Sequence, residues 1–223
     1  MVINARREPE LAETARAMAH LPGRVVVAPG DASRREVVGY LLTVCREEFS
    51  GTPDVCIVNA GRGLPGTVLT SDQDEWRPLF EENVVGVLVQ IRAFANAMLG
   101  AGQPDSTHPR DIVVIGSSVG RNVTPTNTVY GASKFAVHGA VEGLRREVAP
   151  HNIRVSLIEP GIVRTNFQAA AGYSDDFLDS CDEQFGPLLD ADDIARTIEF
   201  VIGQPPHVHI NEVMLRPTRQ VYP

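Results

Sequence analysis

The sequence is almost without lysine. Of its 20 basic residues only Lys134 is a lysine, and the other 19 are arginines. Arginine keeps its proton and presents a wide planar fork, whereas lysine is a compact point charge whose proton can be tuned. A lone lysine in such a chain marks a position where arginine will not serve. Excess basic charge is missing too. The 28 acids leave a formal net charge of −8, which argues against nucleic acid or an anionic membrane as partner, since both require a basic surface. Any anionic ligand would have to be held by local arginines and backbone amides. Cysteine is scarce, and Cys45, Cys56 and Cys181 are an odd, scattered set that builds neither a disulfide framework nor a zinc site. His207 and His209 alternate with apolar residues at a strand start and are not expected to bind metal. No apolar run of signal length opens the chain, and no segment approaches about 20 apolar residues. A cytoplasmic protein with reduced thiols is expected.

What is present reads as one large domain of 223 residues. Short apolar runs alternate with stretches of helical period, the pattern of an α/β fold with a parallel sheet. Strands are expected at 2–5, 24–28, 54–58, 111–115, 153–158 and 210–215. Helices are expected at 9–20, 33–49, 71–99, 128–148 and 191–202, the second capped by Ser33 with Glu36 at capping-box spacing. A polar loop spans 102–110. The stretch 166–190 carries six acids and no base, with Phe167, Tyr173, Phe177 and Phe185 among them. An irregular segment of that length is commonly functional, and a substrate lid is expected there.

Tyr130 and Lys134 stand four apart on an expected helix and so share a face. A phenol with pKa near 10 is a poor acid or base at neutral pH. An adjacent ammonium stabilises the phenolate and draws that pKa toward the working range, so Tyr130 could give a proton to a carbonyl oxygen or take one from an alcohol. Ser117 lies just past the strand 111–115, where open α/β sheets place their ligands, and its hydroxyl could hold the substrate oxygen. A serine hydrolase is the rival, because 116–120 satisfies G-x-S-x-G with Ser118 as nucleophile. That elbow requires a helix to begin at once, and the following residues read as a loop.

Taken together, these motifs resemble the short-chain dehydrogenase/reductase family over nearly the whole chain. The resemblance is carried by Asn59-Ala60-Gly61, by Asn83-Val84-Val85-Gly86, by Ser117 with Tyr130-Gly131-Ala132-Ser133-Lys134, and by Pro160-Gly161-Ile162-Val163-Arg164-Thr165. It implies a Rossmann-like doubly wound sheet and hydride transfer between a nicotinamide cofactor and a small alcohol or carbonyl compound. It also implies roles. Tyr130 would be the general acid/base. Lys134 would lower its pKa and bind the nicotinamide ribose. Ser117 would orient the substrate carbonyl, and Asn83 would hold a water that links Lys134 to solvent. Asn59, Ala60 and Gly61 would line the adenosine ribose, and Asp31 would meet the adenine. Pro160, Gly161, Ile162 and Thr165 would face the nicotinamide. The family commonly has two asparagines before Ala-Gly; here Val58 precedes Asn59. The run 210–218 resembles a subgroup acting on small 3-hydroxy acids and related aldehydes. A homodimer or homotetramer is implied.

Arg6 and Arg7 follow the first strand. An acid at that strand end binds the 2′-hydroxyl of NAD, and an arginine accepts the 2′-phosphate of NADP. No acid stands there, so NADP(H) is expected over NAD(H). Arg121 and Arg164 are expected near the mouth and could hold a substrate carboxylate.

The family begins with a strand, a glycine-rich turn and a helix, and no such unit precedes Val2. That turn cradles the pyrophosphate on backbone amides, and Gly61-Arg62-Gly63 follows a different strand. The first strand is also the sheet's centre in the 3-2-1-4-5-6 order. The expectation is therefore either that Met1 is an internal methionine or that the chain is a shortened relative that binds without turnover. The segment Val2 to Val27 is expected to pack loosely, or to close the gap by pairing its first strand directly against Val55 to Val58.

Overall fold

The computed structural model describes residues 1–102, 107–174 and 176–221. Residues 103–106 of the polar loop expected over 102–110 lie outside the described residues, as does residue 175 of the expected lid.

The chain alternates strand and helix. Its first half runs β1 (Val2–Ile3), α1 (Glu8–Ala17), β2 (Val26–Val27), α2 (Arg35–Phe49) and β3 (Val55–Val58). A continuous helical stretch follows, made of α3 (Trp76–Phe80), a π-turn (Glu81–Val85) and α4 (Gly86–Gly100). The second half is β4 (Arg110–Ile115), α5 (Thr128–Val148), β5 (Ile153–Pro160), α6 (Phe167–Ala170), α7 (Asp176–Phe185), α8 (Ala191–Ile202) and β6 (Glu212–Leu215). All strand pairs are parallel. β3, β4, β5 and β6 form one sheet in that order, with Cys56 opposite Ile112, Ile112 opposite Val155 and Ile158 opposite Val213.

Helices on both faces explain the apolar runs. Ile112, Val113 and Val114 are consecutive, and all three are buried. A strand covered on one side only would alternate; one covered on both reads as a continuous hydrophobic run. α4 and α5 supply one layer through Val87, Ile91, Phe94, Met98, Val137 and Val141. α8 supplies the other, against Val113 and Ile158. The stretch Gln73–Gly100 is long and apolar enough to cross a membrane by length and composition. Its apolar side is part of the core, which accounts for that composition.

β1 pairs with β2, not with β3, so the chain does not close the gap in the manner expected. The two-stranded and four-stranded pieces face each other across a cavity of about 950 Å³ lined by Met1, Val2 and Asn4 on one side and Val55, Cys56 and Ile57 on the other. Nor is β1 adrift. Asn4 donates to Ala28 O (2.7 Å) and Gly30 O (3.1 Å), holding it to β2.

Two local expectations need correction. α2 starts at Arg35 without a side-chain cap, because the Ser33 N–H and hydroxyl both donate to Asp31 Oδ1 (2.9 and 2.7 Å). A capping box does form at Asp190 and Asp193, opening α8. The stretch 166–190, expected to be irregular, holds α6 and α7. His209 is structural: its Nε2 bonds the backbone of Val155 (3.0 Å from N). A buried pair ties α8 to the sheet. Arg154 of β5 donates to both oxygens of Asp111 (2.8 Å each) and also to Ile202 O (2.9 Å) and Val208 O (3.1 Å).

Candidate active site

The strands of a parallel sheet end together, and the loops beyond their carboxyl ends converge there. Beyond β3 lies Asn59–Gly61. Beyond β4 lies Ser117. α5 crosses behind both and brings Tyr130 and Lys134 to the same spot, with Asn83 entering from the π-turn.

Lys134 is buried, and its Nζ donates to Ile115 O at 3.0 Å. A Cβ on Gly61 would lie 3.8 Å from that Nζ and 3.1 Å from Asn83 Oδ1, so glycine keeps this junction open. Burial pushes the Lys134 ammonium down to about 8. The charge is compact and enclosed, as its singularity among arginines suggests.

Tyr130 is also buried, its ring 5.9 Å from that of Phe167 in α6. Lys134 Nζ lies 5.9 Å from the Tyr130 ring centroid. The expected lowering of the phenol by this neighbour is not what the protein provides. Burial pushes the Tyr130 hydroxyl well above its ordinary value, the Ser117 hydroxyl opposes the rise through a hydrogen bond, and Tyr173 adds to it. Desolvation outweighs a cation at that distance that sits against the ring and is itself engaged with Ile115.

Asn83 is almost fully buried and serves as a three-way tie. Its Oδ1 accepts the Arg62 N–H (2.9 Å), and its Nδ2 donates to Arg62 O (2.8 Å) and Ser133 Oγ (3.2 Å). It thereby fixes the Asn59–Arg62 loop to α5. The π-turn that carries it inserts an extra residue into the helical ladder, a feature found often at functional sites.

Ser117 caps a short 3₁₀ turn, its Oγ accepting the Val119 N–H at 3.4 Å. Its own N–H donates to His138 Nε2 at 3.3 Å. His138 was not singled out from sequence, although its place one turn beyond Lys134 on the same face was visible. Ser118 is buried in the 3₁₀ turn, and the next long helix begins only at Thr128, so the nucleophile elbow is not formed. Among the described residues, no hydrogen bond joins Ser118 Oγ to an imidazole.

The expected cofactor residues fall into two groups. Arg6, Asp31, Asn59, Ala60 and Gly61 all line the cavity of about 950 Å³, a size within the range of small-molecule sites. Arg6 lies 3.7 Å from Glu82 and is largely exposed. Asp31 would be raised by burial, but the Ser33 hydrogen bonds, Arg6 and Arg34 hold it below its ordinary value. The second group, Pro160, Gly161, Ile162 and Thr165, follows β5. A Cβ on Gly161 would meet Gln220 Oε1 at 2.4 Å, and that same oxygen accepts the Ile162 N–H (3.0 Å). The Ile162 amide is therefore engaged within the protein. Thr165 is exposed and accepts the Phe167 N–H at 3.2 Å. Gly61 and Gly63 pack against Asn83 and Phe167, which leaves this glycine pair no freedom to act as a phosphate loop. The first group thus lines the cavity and the second lies outside its lining, and the described residues show no amide cradle for a pyrophosphate.

Two expected anion binders are committed elsewhere. Arg121 donates to both oxygens of fully buried Glu159 (2.6 and 2.7 Å) and also pairs with Glu212. Arg164 lies 3.6 Å from Asp179 and 3.8 Å from Asp182, tying α7 to the loop after β5. α6 closes over the site, with Phe167 and Ala171 against Gly63 and Phe167 against Tyr130. Tyr173 stacks on Phe177 (4.6 Å). Burial raises the Tyr173 hydroxyl, and the Asn127 side chain opposes this through a hydrogen bond.

The short chain dehydrogenase family model matches residues 1–175. The chain belongs to this family. It is an oxidoreductase of the NAD(P)-dependent short-chain dehydrogenase/reductase type. An uncharacterized oxidoreductase of Staphylococcus aureus (strain MW2) is 33% identical over 193 residues, covering 86% of this chain and 76% of the relative. Dehydrogenase/reductase SDR family member 11 of Mus musculus is 31% identical over 204 residues, covering 90% and 76%. Among solved structures, the closed form of a serine dehydrogenase complexed with NADP+ superposes with a TM-score of 0.84 at 25% identity, covering 99% of this chain and 86% of that one. The likeness supports a nicotinamide cofactor.

Proposed function

We propose that this dehydrogenase transfers a hydride between NADP(H) and a small, mostly apolar alcohol or carbonyl compound, with Tyr130 as general acid/base. The observation that carries the reading is the convergence of Ser117, Tyr130, Lys134 and Asn83 at the carboxyl end of the sheet, all four of them buried. Bound along the Arg6-to-Gly61 cavity and the loop after β5, NADP(H) would supply or accept the hydride. The protein's own groups handle the proton. In reduction the Tyr130 hydroxyl donates to the carbonyl oxygen, and in oxidation it takes the proton back. The Ser117 hydroxyl donates to the same oxygen and orients it. Burial keeps the Tyr130 hydroxyl protonated before substrate binds. Lys134 offers a compact donor beneath the tyrosine for the ribose. Arg6, with no acid at its strand end, supports NADP(H) over NAD(H). Phe167, Tyr173 and Phe177 place aromatic rings in an otherwise acidic lid, which suits a small substrate without negative charge. Exposed Val85, Leu88, Leu99 and Phe135 on the long helical stretch and α5 would bury against a second copy in a homodimer or homotetramer.

Tyr130→Phe tests the assignment. The variant should lose at least about 100-fold in kcat for NADPH-dependent reduction of small aldehydes, while NADPH affinity measured by nucleotide fluorescence stays within twofold. Near-normal turnover would remove Tyr130 from the mechanism. A family member that binds nucleotide without turnover would show no wild-type rate to lose.

A further inference from the structure

Gly116 and Gly120 flank the two serines after β4. Both face the same imidazole. A Cβ on Gly116 would lie 2.5 Å from His138 Nε2, and a Cβ on Gly120 would lie 2.3 Å from His138 Cε1. Real Cβ atoms do not approach so closely, so the ring fills a socket that exists because both positions lack a side chain. The bracket resembling a nucleophile elbow is a seat for a histidine.

We propose that His138 is a positioning residue whose imidazole, wedged between Gly116 and Gly120, accepts the Ser117 N–H and so fixes the direction of the Ser117 hydroxyl. The inference rests on the role given above to Ser117. Three observations carry it. The Ser117 N–H donates to His138 Nε2. Ser117 is extended (φ −172°, ψ 153°) and buried, with its hydroxyl accepting the Val119 N–H, so a rotation of its peptide would swing that hydroxyl. His138 also lies on α5 one turn after Lys134 and two turns after Tyr130. One rigid helix therefore sets the proton donor, the ammonium and the seat of the substrate-orienting serine.

An acceptor nitrogen requires a neutral ring with its proton on Nδ1. The charges facing His138 favour that state: Lys134 from its own helix, and Arg121 from the loop beyond Gly120, itself paired with Glu159 of β5 and Glu212 of β6. Burial first, and then these two cations, push His138 down to about 4. The ring is thus an acceptor throughout the ordinary working range, and the hydrogen bond carries no pH switch there.

The test is a double-mutant cycle between His138→Phe and Ser117→Ala, with His138→Gln as rescue. Phe keeps a flat ring but no acceptor; Gln restores an acceptor oxygen. His138→Phe should lower kcat about tenfold, the fold-change for one hydrogen bond of ordinary strength, with NADPH affinity within twofold. His138→Gln should recover most of that loss. Adding His138→Phe to Ser117→Ala should lower kcat no further, because both act through one hydroxyl. Nitrogen-15 NMR of the wild-type imidazole adds a measurement independent of turnover, and should show Nε2 unprotonated from pH 8 down to about 5. Multiplying effects, failure of Gln to rescue, or a proton on Nε2 would overturn the His138 inference alone. Normal kcat in Ser117→Ala would overturn the assignment of Ser117 and the inference with it.

Discussion

Replacing Lys134 by methionine should abolish turnover and yet leave the protein as stable as before, or more so, at neutral pH. Burial lowers the ammonium from 10.5 to about 8. At 1.36 kcal/mol per pKa unit, the folded state forgoes about 3 kcal/mol by holding Lys134 charged. Methionine fills a similar volume without that penalty. Against this, Ile115 O loses its donor at 3.0 Å, and an unsatisfied buried carbonyl costs about 1–3 kcal/mol. The two effects nearly cancel at pH 7, with a net gain of roughly 0–2 kcal/mol for the variant. The pH dependence separates them. The folded value lies below the unfolded one, so between about 8 and 10.5 the unfolded chain binds more protons and wild-type stability rises with pH. The penalty is complete below pH 8 and gone above 10.5. The variant lacks this group, and other titrations in that window are common to both proteins. The stability difference between variant and wild type, from urea unfolding followed by circular dichroism, should therefore shift by about 3 kcal/mol in favour of wild type from pH 7.5 to 10.5. A difference constant to within about 1 kcal/mol, or a variant more than about 2 kcal/mol less stable at pH 7.5, would refute the reasoning.

Arg6→Asp should move the NADPH-to-NADH ratio of kcat/KM toward NADH by about tenfold or more, the worth of one charge-assisted contact; an unchanged ratio would place Arg6 outside the site. Asp111→Ala leaves the Arg154 guanidinium buried without its carboxylate and should lower stability by about 3–5 kcal/mol, seen as a thermal midpoint about 6–20 °C lower. A loss below about 1 kcal/mol would show that the bonds from Arg154 to the Ile202 and Val208 carbonyls suffice.

Much of the architecture was legible where the determinants are local. α5 and α8 fall at 128–148 and 191–202, as their apolar period indicates. β4 and β5 announce themselves as apolar runs, because a strand covered on both faces has no polar side to show. The Tyr130–Lys134 spacing is helical geometry, and the position of Ser117 past a strand follows from the sheet's carboxyl edge. Ser33 departs from what its local sequence indicates. Its spacing to Glu36 suits a cap, but the Asp31 carboxylate two residues earlier captures both of its donors.

What the sequence could not decide depends on groups far apart in the chain. Arg121 looked available for a substrate carboxylate until β5 and β6 brought Glu159 and Glu212 against it, 38 and 91 residues away. Asn83 reads as a family residue, yet only folding shows that it joins Arg62 to Ser133. Gly116 and Gly120 read as an elbow until α5 laid His138 into them. The direction of the Tyr130 shift was set by burial, which no spacing reveals. By itself the sequence determined the order of elements, their periods and the residues that meet within one helix, because those follow from backbone geometry over a few positions. The tertiary structure alone decided which charges are already paired, which peptides are held and which ionisable groups lose their water, because pairing and desolvation arise only when distant segments pack together.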